Sequence, residues 1–349
     1  MKKYKVMDGN EACSYVSYLF SEMAGIYPIT PASTMAEKVD ELSSKGFNNL
    51  YGSPVKVVEM QSEAGAIGTV HGALQSGILA TTYTASQGLL LMIPNMYKIA
   101  GEELPAVIHV AARTIATHAL SIFGDHQDVY AVRDTGFCII ASGSVQEAHD
   151  LAAVTHLSSI SSSLPFVHFF DGFRTSHEIN VVETLDTKDL IKLVNKNALK
   201  ELKDRSMTIN NPIVHGTNQN EDIYFQSIEA RNKDYEEAVN IISSYFKEIN
   251  KLQNTNYAPF NYYGHKDATN VIIAMGSVSK TIKDVALNLS EKGVKIGFIE
   301  VHLYRPFSTR LLKEVLPKTT KQVVVLDRAK MPGSGGEALY LDVCSALND

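Results

Sequence analysis

Two lone charges in small, apolar surroundings are the residues of this chain best suited to chemistry. Glu63 sits among Ala64, Gly65, Ala66 and Gly68, and Arg113 follows the apolar run Val107 to Ala112. A charge in such a place is costly to desolvate, so it takes a partner, a shifted pKa or a ligand. A third segment, GIYPITPAS from Gly25 to Ser33, supplies Thr30. The residue before a proline is held extended, which presents the Thr30 hydroxyl rigidly. On this reading the three loop ends converge on one small anionic substrate and one cofactor.

Each of these residues also has a plainer reading. Glu63 is a carboxylate at a helix start favoured by the helix dipole, or a glutamate in a tight interface facing a ring nitrogen. Gly65, Gly68 and Gly72 share roughly one face of that helix. Each costs ~1 kcal/mol against Ala, which close approach of another backbone or a cofactor usually offsets. Arg113 is a cap or surface ion-pair partner, or a planar fork that binds a carboxylate in bidentate fashion as Lys does not. Thr30 is an ST-turn or helix cap, or a substrate contact. His126 with Asp125 and Asp128 is a candidate donor set, but it lacks ring-fixing partners, and no metal is assigned to it. Gly276-Ser277-Val278-Ser279 follows a strand as an anion-binding helix start does. It lacks the full GxGxxG or GKS pattern and reads as packing. His71, His109, His156 and His168 lie in apolar runs and read as satisfied core histidines.

The elements that must position these residues alternate as in a parallel α/β protein. Helices are expected over 9–23, 32–45, 62–76, 88–100 and 145–159. Strands are expected over 25–28, 55–59, 80–85, 107–111, 137–141 and 165–170. Parallel strands joined by helices put their C-terminal ends on one edge, where ligands bind. Thr30, Ser86, Arg113, Ser142 and Asp171 fall just after expected strands, and Glu63 falls at a strand-to-helix junction. Beyond about Asn197 the stretch 200–229 is polar and turn-rich. An amphipathic helix over 228–252 and a linker over 254–267 lead into a second α/β unit. That unit has strands over 270–274, 294–300 and 321–326.

With 349 residues, two domains are the natural expectation. Hydrophobic residues make up 45% and charged residues 20%, as in an ordinary soluble protein. The net charge of -6 argues against nucleic acid or anionic membrane as the main partner. No apolar run reaches the length of a membrane span, and the start MKKYKVMDGNEACSYV has no apolar signal region. Cys13, Cys138 and Cys344 are far apart, which suits a reducing cytoplasm and offers no clustered thiolates for zinc or iron–sulfur.

Longer motifs then carry a family resemblance. GIYPITPAS, VVEMQSEAGAIGTVHGAL, VAAR, HALSIFGDHQDV, VQEAHDLA, PFVHFFDGFRTSHEI, LYRPF and VVLDRAKMPGSGGEALYLDV span nearly the whole chain. Together they resemble the pyruvate:ferredoxin (flavodoxin) oxidoreductases. The resemblance implies two doubly wound α/β domains with mainly parallel sheets. Residues 1–255 would be similar to the pyrimidine-binding domain of thiamine-diphosphate enzymes, and 256–349 to part of the transketolase C-terminal domain. It implies that Glu63 matches the glutamate that hydrogen-bonds N1′ of the aminopyrimidine. It implies that Thr30 and Arg113 match residues that contact pyruvate. The family decarboxylates pyruvate oxidatively with coenzyme A to acetyl-CoA and CO2, and passes electrons through [4Fe–4S] clusters to ferredoxin or flavodoxin.

No diphosphate- and Mg2+-binding domain and no ferredoxin-type cysteine cluster is recognisable. The chain is therefore expected to be an N-terminal fragment, inactive alone, that binds no cofactor tightly. Its partners would be the remaining domains of the same enzyme, a homodimer at full length. The alternative is an α-type subunit of a multi-subunit 2-oxoacid:ferredoxin oxidoreductase. A non-catalytic assembly module is the reading from another class, and the joint presence of Glu63, Thr30 and Arg113 speaks against it.

Overall fold

The computed structural model describes residues 3–213 and 215–348, so the first two residues of the basic start and Val214 of the turn-rich stretch lie outside it. Its strands in chain order are β1 (Lys3–Met7), β2 (Met23–Ile26), β3 (Lys56–Glu59), β4 (Ala80–Thr84), β5 (Val107–Ala112), β6 (Cys138–Ser142), β7 (Phe166–Asp171), β8 (Asn180–Thr184), β9 (Phe260–Gly264), β10 (Asn270–Ala274), β11 (Ile296–Val301), β12 (Leu303–Arg305) and β13 (Gln322–Val325).

Seven of them form one sheet in the order β12-β6-β7-β5-β4-β2-β3. All its pairings are parallel except that of the edge strand β12. Every residue of β4, β5, β6 and β7 is buried. Parallel strands covered by helices on both faces read as near-continuous apolar runs, as β5, β6 and β7 do, while β4 is carried by β-branched threonines. The register pairs Thr84 with Val110, Ala112 with Asp171 and Ser142 with Phe170. The C-terminal ends of these strands therefore finish level, and the loops that follow share one edge.

The second sheet has the order β13-β10-β11-β9, with β9 antiparallel. This corrects the expected linker over 254–267, because Phe260–Gly264 is a strand within it. Pro259 and Gly264 look like loop punctuation, but Tyr262 and Tyr263 pair across to Ile299 and Phe298. A separate antiparallel pair, β1 with β8, also went unforeseen, since most of its residues are exposed. The helix expected over 88–100 is two helices, Ser86–Leu91 and Ile93–Gly101, divided at Met92 ahead of Pro94. The turn-rich stretch holds the helix Glu221–Glu229, none of whose residues is buried.

Charge stitches the two sheets together. Asp171, the last residue of β7, is fully buried. Its Oδ1 lies 2.6 Å from His126 Nε2, and its Oδ2 accepts from Arg328 Nη1 at 2.7 Å. The same Oδ2 accepts from the backbone and hydroxyl of Ser277. The Gly276-Ser277-Val278-Ser279 segment is thus a helix start that receives an anion after all, and the anion is the protein's own carboxylate. Burial alone would raise the Asp171 pKa, but His126, Arg328 and the Ser277 hydroxyl outweigh it and hold the carboxyl well below its ordinary 3.8.

A depressed carboxyl stabilises the fold fully above its unfolded value, and the contribution is lost as pH falls toward the folded value. Asp171→Asn should therefore destabilise the chain by about 3–5 kcal/mol near neutral pH, as loss of one partner of a buried pair does. The difference from wild type should shrink below about pH 4. Urea unfolding at several pH values measures it. A variant that keeps the wild-type pH dependence would show that Asp171 contributes nothing through its charge.

Candidate functional site

The helix Glu63–Gln75 begins at Ser62, whose hydroxyl caps it by accepting from the Gly65 amide at 3.2 Å. Glu63 is the first helical residue and only 7% exposed. Its neighbour across the site is Gly88, early in the next helix. A Cβ at Gly88 would lie 2.8 Å from Glu63 Oε1 and 2.5 Å from Thr84 Oγ1. The glycine that matters for close approach is therefore Gly88. Among the foreseen three, Gly68 faces only the Asn95 side chain at 3.6 Å, and a Cβ at Gly72 would meet nothing within 4 Å.

Arg113 directly follows β5 and is also 7% exposed. Its Nη1 donates to the Thr30 carbonyl at 2.7 Å and its Nη2 to Gln87 Oε1 at 3.0 Å. The sequence-predicted Thr30 and Arg113 thus come together, though through the Thr30 backbone rather than its hydroxyl. Two of the five guanidinium N–H donors are used there, and Nε is buried with no hydrogen-bond partner. Burial lowers the Arg113 pKa, against the charges of Asp128 and Glu63. Arg113 and Glu63 therefore share one electrostatic environment.

Asp128 holds this arrangement and was not foreseen in that role. It is fully buried. Its Oδ2 accepts from the Arg113 amide at 2.9 Å and the Ser86 amide at 2.8 Å, and its Oδ1 from the Val129 amide at 2.8 Å. Burial pushes its carboxyl up to about 7 against these donors. Ser86 adopts φ +50°, a left-handed conformation uncommon outside glycine. It is kept there by Asp128 and by its hydroxyl, 2.5 Å from both the Thr114 carbonyl and Gln87 Oε1. The sequence signal for Asp128 is an acid entering the apolar run Val129-Tyr130-Ala131-Val132, in a loop that offers Asp125 and His126 as equal candidates. His126 turns instead to Asp171, so the Asp125–His126–Asp128 set does not form.

Ser142 and Asp171 lie on the same sheet edge but serve other purposes. Ser142 Oγ is 2.8 Å from His168 Nε2 in the core. His109, His156 and His168 are buried core histidines as expected, with His109 bonded to each of the other two. His71 is different, being half-buried and 2.7 Å from Glu102.

Gly88 therefore lets the Glu63 carboxylate and the Thr84 hydroxyl pack where a side chain would stand. Gly88→Ala should cost about 1–3 kcal/mol of stability through overpacking against Glu63 and Thr84. That loss should appear even though Ala is the better helix former by ~1 kcal/mol. Urea unfolding of the variant checks this. An unchanged midpoint would show that Glu63 swings away without resistance.

Comparison with known proteins adds three findings. Residues 15–247 match the family model described as "Pyruvate flavodoxin/ferredoxin oxidoreductase, thiamine diP-bdg", and 268–349 match "Pyruvate:ferredoxin oxidoreductase core domain II". The chain is 55% identical over 345 residues to a pyruvate-flavodoxin oxidoreductase of Enterobacter agglomerans, covering 99% of this chain and 29% of the relative. It is 52% identical over 343 residues to a pyruvate:ferredoxin oxidoreductase of Moorella thermoacetica, covering 98% and 29%. The chain thus spans less than a third of the length of these relatives. In fold it resembles a 2-oxoglutarate:ferredoxin oxidoreductase from Magnetococcus marinus, with TM-score 0.71 and 18% identity over 95% of this chain and 59% of that one. It also resembles a split-gene transketolase, with TM-score 0.55 and 10% identity over 97% and 83%.

Proposed function

The chain belongs to the pyruvate flavodoxin/ferredoxin oxidoreductase family, and from that premise we propose that it holds the aminopyrimidine and substrate carboxylate of a thiamine-diphosphate-dependent enzyme. The reaction of the whole enzyme is then oxidative decarboxylation of pyruvate with coenzyme A to acetyl-CoA and CO2. Electrons leave through [4Fe–4S] clusters of other domains to ferredoxin or flavodoxin. The observation that supports this reading is that Glu63 and Arg113, both buried, lie near enough at one sheet edge for the Glu63 charge to act on the Arg113 guanidinium.

In this reading Glu63 accepts a hydrogen bond from ring N1′ and exchanges a proton there. Arg113 orients the substrate carboxylate, with Thr30 and Gln87 fixing its guanidinium. Asp128 keeps the Arg113 and Ser86 loops in register. When bound, thiamine diphosphate supplies the electron sink for decarboxylation. Its diphosphate and Mg2+ are assigned to the rest of the enzyme. The first domain is taken as 1–255 and the second as 256–349, which the break between the two family matches supports. A single long polypeptide is favoured over a separate α-type subunit, because relatives carry this region as 29% of a longer chain. A homodimer is proposed for that longer protein, with the open Gly72 face as room for another backbone. The cytoplasm is its proposed compartment, consistent with three unpaired cysteines. No helix among the described residues is long and apolar enough to cross a membrane.

Two substitutions in the intact enzyme test the assignments. Arg113→Lys keeps the charge but loses the fork, so kcat/KM for pyruvate should fall by about 1–3 kcal/mol in transition-state binding. Near-wild-type kcat/KM would remove Arg113 from substrate recognition. Glu63→Gln keeps the shape but cannot relay a proton. Thiamine diphosphate affinity should change modestly, while deuterium exchange at its C2 slows by about 10²–10⁴-fold, the span of general acid–base assistance. Unchanged exchange would return Glu63 to a helix-start carboxylate without part in the chemistry.

A further inference from the structure

Away from this edge, at the seam between the two sheets, three side chains bring their ligand atoms together. Glu147 lies in the first turn of the helix Val145–Ser162, Glu300 in β11, and His302 between β11 and β12. Their ligand atoms all lie within 4.8 Å of one another. His302 Nε2 is 3.5 Å from Glu147 Oε2 and 3.7 Å from Glu300 Oε1. His302 is 1% exposed, and this Nε2 has no hydrogen-bond partner. Its other nitrogen, Nδ1, is 3.0 Å from the Ala258 carbonyl oxygen. A carbonyl only accepts, so Nδ1 carries a proton and donates it. In the neutral ring Nε2 is then a bare lone pair aimed at two carboxylates.

We propose that Glu147, Glu300 and His302 bind a first-row divalent cation of the Zn2+ or Mn2+ kind, which ties the two sheets together. The distances favour an ion over a direct bond. A charged N–H···O bond spans about 2.7–2.9 Å, and both separations here are far longer. Ligands held about 2.1 Å from one tetrahedral ion stand about 3.4 Å apart. The charge count agrees. Two carboxylates, a neutral imidazole and a divalent ion sum to zero. Two oxygens and one imidazole nitrogen suit Zn2+ and Mn2+ better than a soft ion.

The surroundings hold the donors in place, as outer partners of metal ligands do. The Gly143 amide donates to Glu147 Oε2 at 2.6 Å, and Ala258 sets the His302 tautomer. Lys283 is the cation whose field reaches Glu300, and its Nζ is engaged 4.2 Å over the Tyr263 ring. The Glu147 side chain is 15% exposed, against 7% for Glu300 and 2% for His302, so the cluster opens on one side. Burial lowers the His302 pKa, but Glu300 and Glu147 outweigh it and lift it to about 9. A rival cluster of Cys13, His109 and His168 differs in that its atoms already bond one another, His156 and Ser142.

The test uses the purified chain, stripped with a chelator and titrated with Co2+ as an optical probe. One saturable equivalent should give visible d–d bands, and Zn2+ should displace it. Zn2+ should also raise the melting temperature, as any ligand of the folded state does. Glu300→Gln and Glu147→Gln should each weaken Co2+ binding by at least about tenfold and abolish the Zn2+ shift. Should one variant fail to fold, the other decides. No saturable Co2+ spectrum in folded wild type would overturn the proposal, as would undiminished binding in a folded variant.

Discussion

The site depends on one buried carboxylate. Asp128 takes backbone amides from Ser86, after β4, from Arg113, after β5, and from Val129 on its own helix. Three separate chain segments are thereby held to one point. An amide buried without an acceptor costs about 1–3 kcal/mol, so each segment is drawn to the same side chain. The left-handed Ser86 and the inward-turned Arg113 follow from that constraint. With Ser86 pinned, Gly88 falls against Glu63, and the absence of a side chain at that position lets the carboxylate lie there, 7% exposed, without a clash. The chemistry proposed for Glu63 and Arg113 thus rests on a residue that touches neither substrate nor cofactor.

The same logic of buried charge joins the two sheets. Asp171 ends β7 of the first and is met by Ser277 and Arg328 from the second. Glu147 starts a helix of the first unit and meets Glu300 and His302. The β12 edge strand, which follows β11 of the second sheet, pairs with β6 of the first. The seam therefore combines polar contacts with an apolar cluster shared by both sheets, in which Ile139 and Phe169 pack with Ile273 and Ile299. Its polar groups must be satisfied one by one, so they fix how the units meet more narrowly than the apolar contact alone would.

The sequence by itself determined the elements whose signal is local. Buried parallel strands such as Val107–Ala112 and Phe166–Asp171 are continuous apolar runs, and helix starts at Ser62 and Ser144 carry capping side chains. It also singled out Glu63 and Arg113, because a lone charge among alanine and glycine is conspicuous without any structure. Tertiary structure alone decided what those charges face. The strand Phe260–Gly264 exists because β11 pairs with it, and the exposed β1–β8 pair has no apolar period to announce it. Asp128 and Asp171 look alike in sequence, each an acid beside apolar residues. One collects backbone amides and the other a histidine and an arginine, because their partners lie up to 157 residues away along the chain. Hydrogen bonds of that range depend on the register between strands, and register is a property of the folded sheet rather than of any segment within it.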